Sequence, residues 1–304
     1  MVSAYRTKYW NACIRQSKRK DVMRIFKEIQ SIQNWCKEQK VQGRKIGLVP
    51  TMGYLHEGHL ELVREARKHC DIVVVSIFVN PTQFGVGEDF EVYPRDFQRD
   101  SSLLEREQVD AIFAPTAGEM YLPDFSSWVE VTGEITAKLC GASRPGHFRG
   151  VTTVCTKLFN ICLPDLAFFG QKDAQQAMVL EKMVRDLNFP LQIIRVPIVR
   201  EADGLAMSSR NVYLDAEDRK QALVLNQALE QAEKAIRDGE RDAGRIKQLL
   251  QEIIGSSPRA EIDYAEIYDA YDLADIQQID RKVLMALAVK FGKTRLIDNR
   301  LVEV

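Results

Sequence analysis

Between residues 46 and 199, short apolar runs alternate with amphipathic stretches, and few folds accommodate that order. The runs cover 46–49, 72–79, 111–114, 166–169 and 191–196. Their length and β-branched content fit buried strands of a parallel sheet. The intervening stretches at 60–68, 97–108, 151–162 and 174–187 carry helical periodicity. Alternation of this kind predicts an α/β fold built on a doubly wound parallel sheet, Rossmann-like in type.

Beyond Ser209 the character changes. Residues 215–238 read as a helix rich in Ala, Leu, Gln and Glu, and 242–254 as a second helix after Gly239. Strand-like runs follow at 262–268, 283–289 and 294–297, with Gly292 and Lys293 marking a hairpin between the last two. The expected organisation is a larger domain over 23–198 and a smaller C-terminal α+β domain over 199–304. The first 22 residues stand apart: Arg6, Lys8, Arg15, Lys18, Arg19 and Lys20 precede the first acid, Asp21. Without an apolar core this is no secretory signal. It fits a disordered N-terminal extension or a misplaced start codon better than a transit peptide. Met23 opens an amphipathic segment over 23–40 and is a candidate start.

The chain has 304 residues, enough for two cores. Its 42 Lys and Arg nearly balance 43 Asp and Glu, so no global field attracts nucleic acid. An anionic ligand must therefore be held by local cations and backbone amides. None of the six cysteines forms a C-x-x-C pair. A disulfide framework or a structural zinc site does not fit, and a reducing, cytoplasmic compartment does. No apolar run approaches the ~20 residues that span a bilayer.

Five segments carry candidate chemistry. Pro50-Thr51-Met52-Gly53-Tyr54-Leu55-His56-Glu57-Gly58-His59 follows the first strand of the alternating region, where open α/β sheets bind ligands. His59 would open the next helix, and two imidazoles there can donate to phosphates. Only two residues separate the histidines, so the metalloprotease pattern H-E-x-x-H is not met. Asn80-Pro81-Thr82-Gln83 ends the second strand and offers neutral amides to a small polar substrate; alone it is also an ordinary turn. Arg144 to Val151 reads as a cationic loop before a helix. Phe168 to Gln176 is again strand, glycine and helix start, with Asp173 a candidate cap or ribose ligand and Lys172 a point charge for phosphate. Met207-Ser208-Ser209-Arg210-Asn211 concentrates donors suited to phosphate oxygens.

Together, in this order, the five segments resemble the pantothenate synthetase family of the nucleotidyltransferase superfamily. The similarity runs from about Met23 to Asn299 and includes the ending Gly292 to Asn299. The resemblance implies an ATP-dependent carbon–nitrogen ligase that condenses (R)-pantoate with β-alanine through pantoyl adenylate, on the route to coenzyme A. It implies that Met52, Gly53, Tyr54, Leu55, His56, Glu57, Gly58 and His59 cradle ATP. His56 and His59 would meet the phosphates, with His59 as general acid. Gly170, Gln171, Lys172 and Asp173 would form a second ATP block, Lys172 near phosphate and Asp173 near ribose. Val199 would offer its backbone to adenine. Met207, Ser208, Ser209 and Arg210 would form a further phosphate segment. Gln83 is implied to bind pantoate and β-alanine, and Gln176 to bind pantoate. Arg144 and His147 match a flexible loop. His59, His56, Lys172 and Arg210 make up the implied catalytic set. ATP is then a substrate accompanied by Mg²⁺, whose protein ligands stay open. A homodimer without nucleic-acid or membrane partners is also implied, and the C-terminal domain would act as a lid.

Tyr54 and Gln171 depart from common family residues and are expected to do no chemistry. The first 22 residues have no counterpart. The competing readings are another nucleotidyltransferase acting on a phosphorylated substrate, a non-catalytic ATP sensor, and a fragment of a class I aminoacyl-tRNA synthetase. The neutral Asn80, Gln83 and Gln176 favour a small carboxylate over the first of these. The missing basic surplus disfavours the last.

Overall fold

The computed structural model describes residues 22–85 and 87–304. In chain order the elements begin with β1 (Arg24–Phe26), α1 (Ile29–Val41), β2 (Ile46–Thr51), α2 (Glu57–His69) and β3 (Ile72–Ile77). Then come α3 (Phe97–Arg106), β4 (Ala111–Phe113) and the short α4 (Ala117–Met120), α5 (Glu134–Ala137) and α6 (Cys140–Ser143). The first half closes with α7 (His147–Cys162), β5 (Leu166–Gly170), α8 (Ala174–Asp186) and β6 (Gln192–Val196). The C-terminal part holds α9 (Ala216–Gln221), α10 (Val224–Arg237), α11 (Ala243–Gly255), β7 (Ala260–Asp269), β8 (Val283–Phe291) and β9 (Thr294–Val302).

Six strands form a parallel sheet in the order β1-β4-β3-β2-β5-β6. Its central strands are buried on both faces, which is why their sequences do not alternate. Ile46, Leu48 and Val74 pack on the side of α1 and α7, whereas Val49, Val73 and Val75 pack on the side of α2 and α3. The chain moves outward from β2 through β3 to β4, then returns to place β5 on the other side of β2. The strand order reverses there, so a crevice opens beyond the carboxyl ends of β2 and β5.

The second sheet is antiparallel, in the order β7-β8-β9. One face packs on α10 and α11 through Leu229, Ile246, Ile267 and Val289. Leu284 and Ala286 on the other face join Ile135, Cys140, Phe148 and Met178 of the larger unit. Asn299 on β9 donates from Nδ2 to the carbonyls of Gln171 and Lys172, each at 2.9 Å, and accepts from Gln171 Nε2 at 3.0 Å. The last strand thus holds the turn that follows β5.

Two expectations need correction. Residues 23–40 are not one amphipathic segment but strand β1 followed by helix α1, with Phe26 folded back on Trp35 at 5.6 Å between ring centroids. A three-residue edge strand is too short to imprint a period. The helix expected over 215–238 is divided into α9 and α10 around Ala222 and Leu223. Asp215 caps α9 by accepting from the amides of Glu217 and Asp218 at 2.9 and 2.7 Å. The disorder expected of residues 1–22 falls, Val22 excepted, outside the described residues.

Candidate active site

At the end of β2 the chain turns through Gly53 and Tyr54, both with positive φ, before His56 leads into α2. Asp100 of α3 makes that turn possible. Its buried carboxylate accepts from the amides of Tyr54 and Leu55 at 2.7 and 2.8 Å. Burial raises its pKa above the ordinary carboxylate value, against the pull of those two amides. Arg99 donates to the Leu55 carbonyl at 2.9 Å and lies over the Tyr54 ring. The amides of Tyr54 and Leu55 are therefore committed to α3 rather than to the crevice. Leu55 is fully buried, and Glu57 is ion-paired with Arg64. Gly53, Tyr54, Leu55, Glu57 and Gln171 shape the turns around the crevice but do not line it; Gln171 is bound to Asn299.

The crevice wall gathers Met52, His56, Gly58 and His59 from the first segment, and Gly170, Lys172, Asp173 and Gln176 from the turn after β5. Val199 and Met207, Ser208, Ser209 and Arg210 close it from the C-terminal side, with Gln83, Arg144 and His147 at one end. The two imidazoles of the first segment stand 4.0 Å apart between centroids. That proximity depends on Gly58, because a Cβ there would lie 3.0 Å from the His56 ring. The His56 amide donates to Nδ1 of His59 at 3.3 Å, which leaves the proton of a neutral His59 on Nε2. Burial, and then His56 and Lys172, hold the His59 pKa well below 6.5. Burial and Lys172 push His56 down to about 4. Near neutral pH both rings are therefore neutral hydrogen-bond donors rather than cations.

Lys172, Asp173 and Gln176 have no side-chain hydrogen bond or ion pair among the described residues. Asp173 occupies the position before α8 but makes no capping bond. Arg210 is differently placed. It forms a bidentate pair with Asp89, both bonds 2.8 Å, and lies over Tyr93. Ser208 Oγ accepts from the Arg210 amide at 3.2 Å, and Ser209 Oγ donates to the Tyr54 carbonyl at 3.1 Å. The Val199 carbonyl is occupied by the Met207 amide.

The neutral amides also divide. Asn80 is spent on the loop itself: its Oδ1 accepts from Thr82 and from the Tyr121 hydroxyl at 2.8 Å, and its Nδ2 donates to Gln83 and the Gly150 carbonyl. Gln83 projects into the crevice beside Met52. Residues 144–151 are not a loop throughout, since α7 begins at His147. Arg144 is paired with Glu88 at 2.6 Å, and His147 Nδ1 donates to the Gln83 carbonyl at 2.9 Å. Burial and then Arg144 lower the His147 pKa to about 4. Glu88, Asp89, Tyr93 and Asp100 carry no signal in the sequence alone. Each acts on a partner distant in the chain, so no local spacing announces it.

The sequence profile described as Pantoate-beta-alanine ligase matches residues 24–301. The chain belongs to the pantoate–β-alanine ligase family. It is 66% identical over 282 residues to the pantothenate synthetase of Syntrophomonas wolfei, covering 93% of this chain and 100% of that one. The enzyme of Carboxydothermus hydrogenoformans is 57% identical over 282 residues, with the same coverage. The pantothenate synthetase structure from Thermus thermophilus superposes with a TM-score of 0.88 at 43% identity, covering 91% of this chain and 99% of that one. The pantoate–β-alanine ligase structure from Francisella tularensis, a complex with Beta-gamma ATP and Beta-alanine, gives 0.77 at 34% identity over 92% and 98%. This member of the ligase family therefore keeps the family fold over nearly its whole length. No helix among its described residues is long and apolar enough to cross a membrane.

The depressed histidines predict how stability depends on pH. An unfolded His56, His59 or His147 titrates near 6.5, whereas His56 and His147 titrate near 4 in the fold and His59 well below 6.5. Between those values the unfolded chain binds more protons, so stability is kept above the higher value and lost as pH falls through the window. The melting temperature should drop between about pH 7 and about pH 5, before most carboxylates titrate. His147→Asn should flatten that drop, and an unaltered slope in the variant would contradict the assignment.

Proposed function

We propose that this ligase condenses pantoate with β-alanine in two half-reactions linked by pantoyl adenylate, releasing pyrophosphate and then AMP. The observation that carries the reading is the unpartnered Lys172, which shares one crevice wall with His56, His59 and Ser208 beside the amides Gln83 and Gln176. A pantoate carboxylate oxygen attacks the α-phosphorus of ATP. The bond to the bridging oxygen breaks, and its electron pair leaves with pyrophosphate. Then the β-alanine amine attacks the acyl carbon, AMP departs with the electron pair of the cleaved C–O bond, and the amine proton passes to solvent.

Lys172, the Nε2–H of His59, and Ser208 and Arg210 are suited to stabilise charge that builds on the phosphates. The arriving triphosphate raises the pKa of both histidines, which turns His59 from a neutral donor into a general acid. Asp173 is free to hold ribose hydroxyls, and Val199 flanks the base. Gln83 and Gln176 offer donors to the pantoate carboxylate and hydroxyls, and Gln83 reaches toward β-alanine. Met52, Gly58 and Gly170 let backbone approach the nucleotide. Mg²⁺ enters this reading as the counter-ion of the triphosphate, neutralising charge on phosphate oxygens. The crevice fits that role and no stronger one. Asp173 is the one acid on its wall, and no three His, Cys, Asp or Glu side chains come together to ligate a metal, among the described residues.

The C-terminal part, from 199 onward, covers the crevice in this reading and keeps water from the mixed anhydride. Its apolar seam around Leu284 and Ala286 favours small adjustments over a wide swing. The family resemblance adds a cytoplasmic homodimer, and light scattering would check the dimer. The adenylate itself is tested by isotope. Pantoate with a heavy-oxygen label in its carboxylate should pass label to AMP, and label found in pyrophosphate or inorganic phosphate would replace this mechanism with another.

A further inference from the structure

A second cavity of about 720 Å³ lies between the turn after β5 and the inner face of the C-terminal sheet. One of its walls is shared with the crevice, since Lys172, Asp173, Ser208 and Arg210 line both spaces. Another wall is the β8–β9 hairpin, with Lys290, Lys293 and Arg295. The charges on these walls are unevenly matched. Arg144 is paired with Glu88, Arg210 with Asp89, Lys290 with Glu261 and Arg295 with Asp263. Lys172 and Lys293 have no hydrogen-bond or ion-pair partner for their ammonium groups among the described residues. The first sits on the shared wall and the second at the exposed turn of the hairpin.

An unmatched ammonium stands at each of two walls, and the unpaired Asp173 carboxylate offsets the one at Lys172, so the excess positive charge lies toward Lys293 and favours a small polyanion there. The reaction makes one beside Lys172. We propose that this cavity is the vestibule through which pyrophosphate leaves, with Lys293 as its outer anion-binding residue. The proposal rests on the adenylation reading. Lys293 takes part in no bond making; the P–O bond has already broken, and the pair has already gone to the leaving group. Exit on this side also leaves AMP and the acyl group in the crevice, so the mixed anhydride stays covered while its counter-product departs. Because Lys293 is exposed, its effect is on steering and is screened by salt.

The test runs the first half-reaction in both directions. ATP–pyrophosphate exchange, in the presence of pantoate, reports pyrophosphate entering from solution, while steady-state condensation reports ATP. In Lys293→Glu the KM for pyrophosphate in exchange should rise about fivefold at low ionic strength and return toward wild type as salt is added. The forward KM for ATP should stay where it is. A KM for pyrophosphate that does not move overturns the vestibule. So does a rise shared equally by ATP, because Lys293 would then act on the substrate. Exchange absent in the wild type removes the adenylate, and this proposal falls with it. Exchange present but insensitive to Lys293 leaves the adenylate standing and removes only the vestibule.

Discussion

Lys172→Ala should slow adenylate formation in single turnover by about a hundred- to a thousandfold, with thermal stability at the wild-type level. The two halves of that expectation come from the same fact. The Lys172 ammonium has no hydrogen bond or ion pair to lose among the described residues, so the folded protein gives up nothing when it is removed. Its backbone carbonyl, which Asn299 holds at 2.9 Å, survives the substitution. In the proposed reading the charge is reserved for a ligand, and it already depresses His56 and His59, whose titrations both fall partly on its account. Removing it should therefore also raise the pKa of both histidines in the empty protein, which NMR titration would show. Lys172→Arg restores the charge but not the compact geometry of an ammonium, so rescue should be partial. A variant with an intact rate of adenylate formation would end the phosphate assignment, whatever its stability.

The contrast with Arg210 sharpens the point. By sequence alone both residues are candidate phosphate ligands. The structure gives Arg210 a bidentate partner, Asp89, and gives the Lys172 ammonium none among the described residues. Asp89 takes the Nε and one Nη of Arg210, so a triphosphate in the proposed reading would meet only the remaining Nη donors of a guanidinium whose charge is already partly balanced. The net gain from Arg210 is accordingly smaller than its charge suggests.

The central strands were legible because burial on both faces leaves an uninterrupted apolar run, as at Ile72 to Val75. The H-x-G-H segment was legible because its chemistry is compact: Gly58 gives His56 the room to approach His59. What holds that segment was not. Asp100 lies 46 residues from Tyr54 along the chain, and an aspartate within an amphipathic helix looks like a solvated face until the fold buries it. Asn80 misled for the opposite reason. A polar amide at a strand end looks available, but every hydrogen-bonding position on it is taken by Thr82, Gln83, Tyr121 and Gly150. Burial and long-range partners decide whether a polar residue is structural or free for a ligand, and neither can be read from local spacing.

Gly150→Ala should be strongly damaging for a change of one methyl group beside the site. Gly150 lies in α7 against the turn that carries Gln83. A Cβ at this position would come within 2.3 Å of the Thr82 carbonyl oxygen, 2.5 Å of its carbon and 2.7 Å of the Gln83 Cα. All three are backbone atoms, so no rotamer change relieves the contact, and either the turn or the helix must shift. The helix is anchored by its apolar face, including Val151, Val154 and Leu158. The turn is the softer partner and should give way, carrying Gln83 with it and breaking the bond from Asn80 to the Gly150 carbonyl. Overpacking of this kind costs about 1–3 kcal/mol. The loss of the buried Asn80 bond adds to it, about 1 kcal/mol more. Because Gln83 moves with the turn, the KM for pantoate should rise about tenfold or more, while ATP affinity changes little. Gly118→Ala supplies the comparison, since a methyl there meets nothing within 4 Å and should leave both quantities alone. If Gly150→Ala melts with the wild type and binds pantoate as well, the helix and the turn are not in the contact described, and the placement of Gln83 in the crevice has to be abandoned with it.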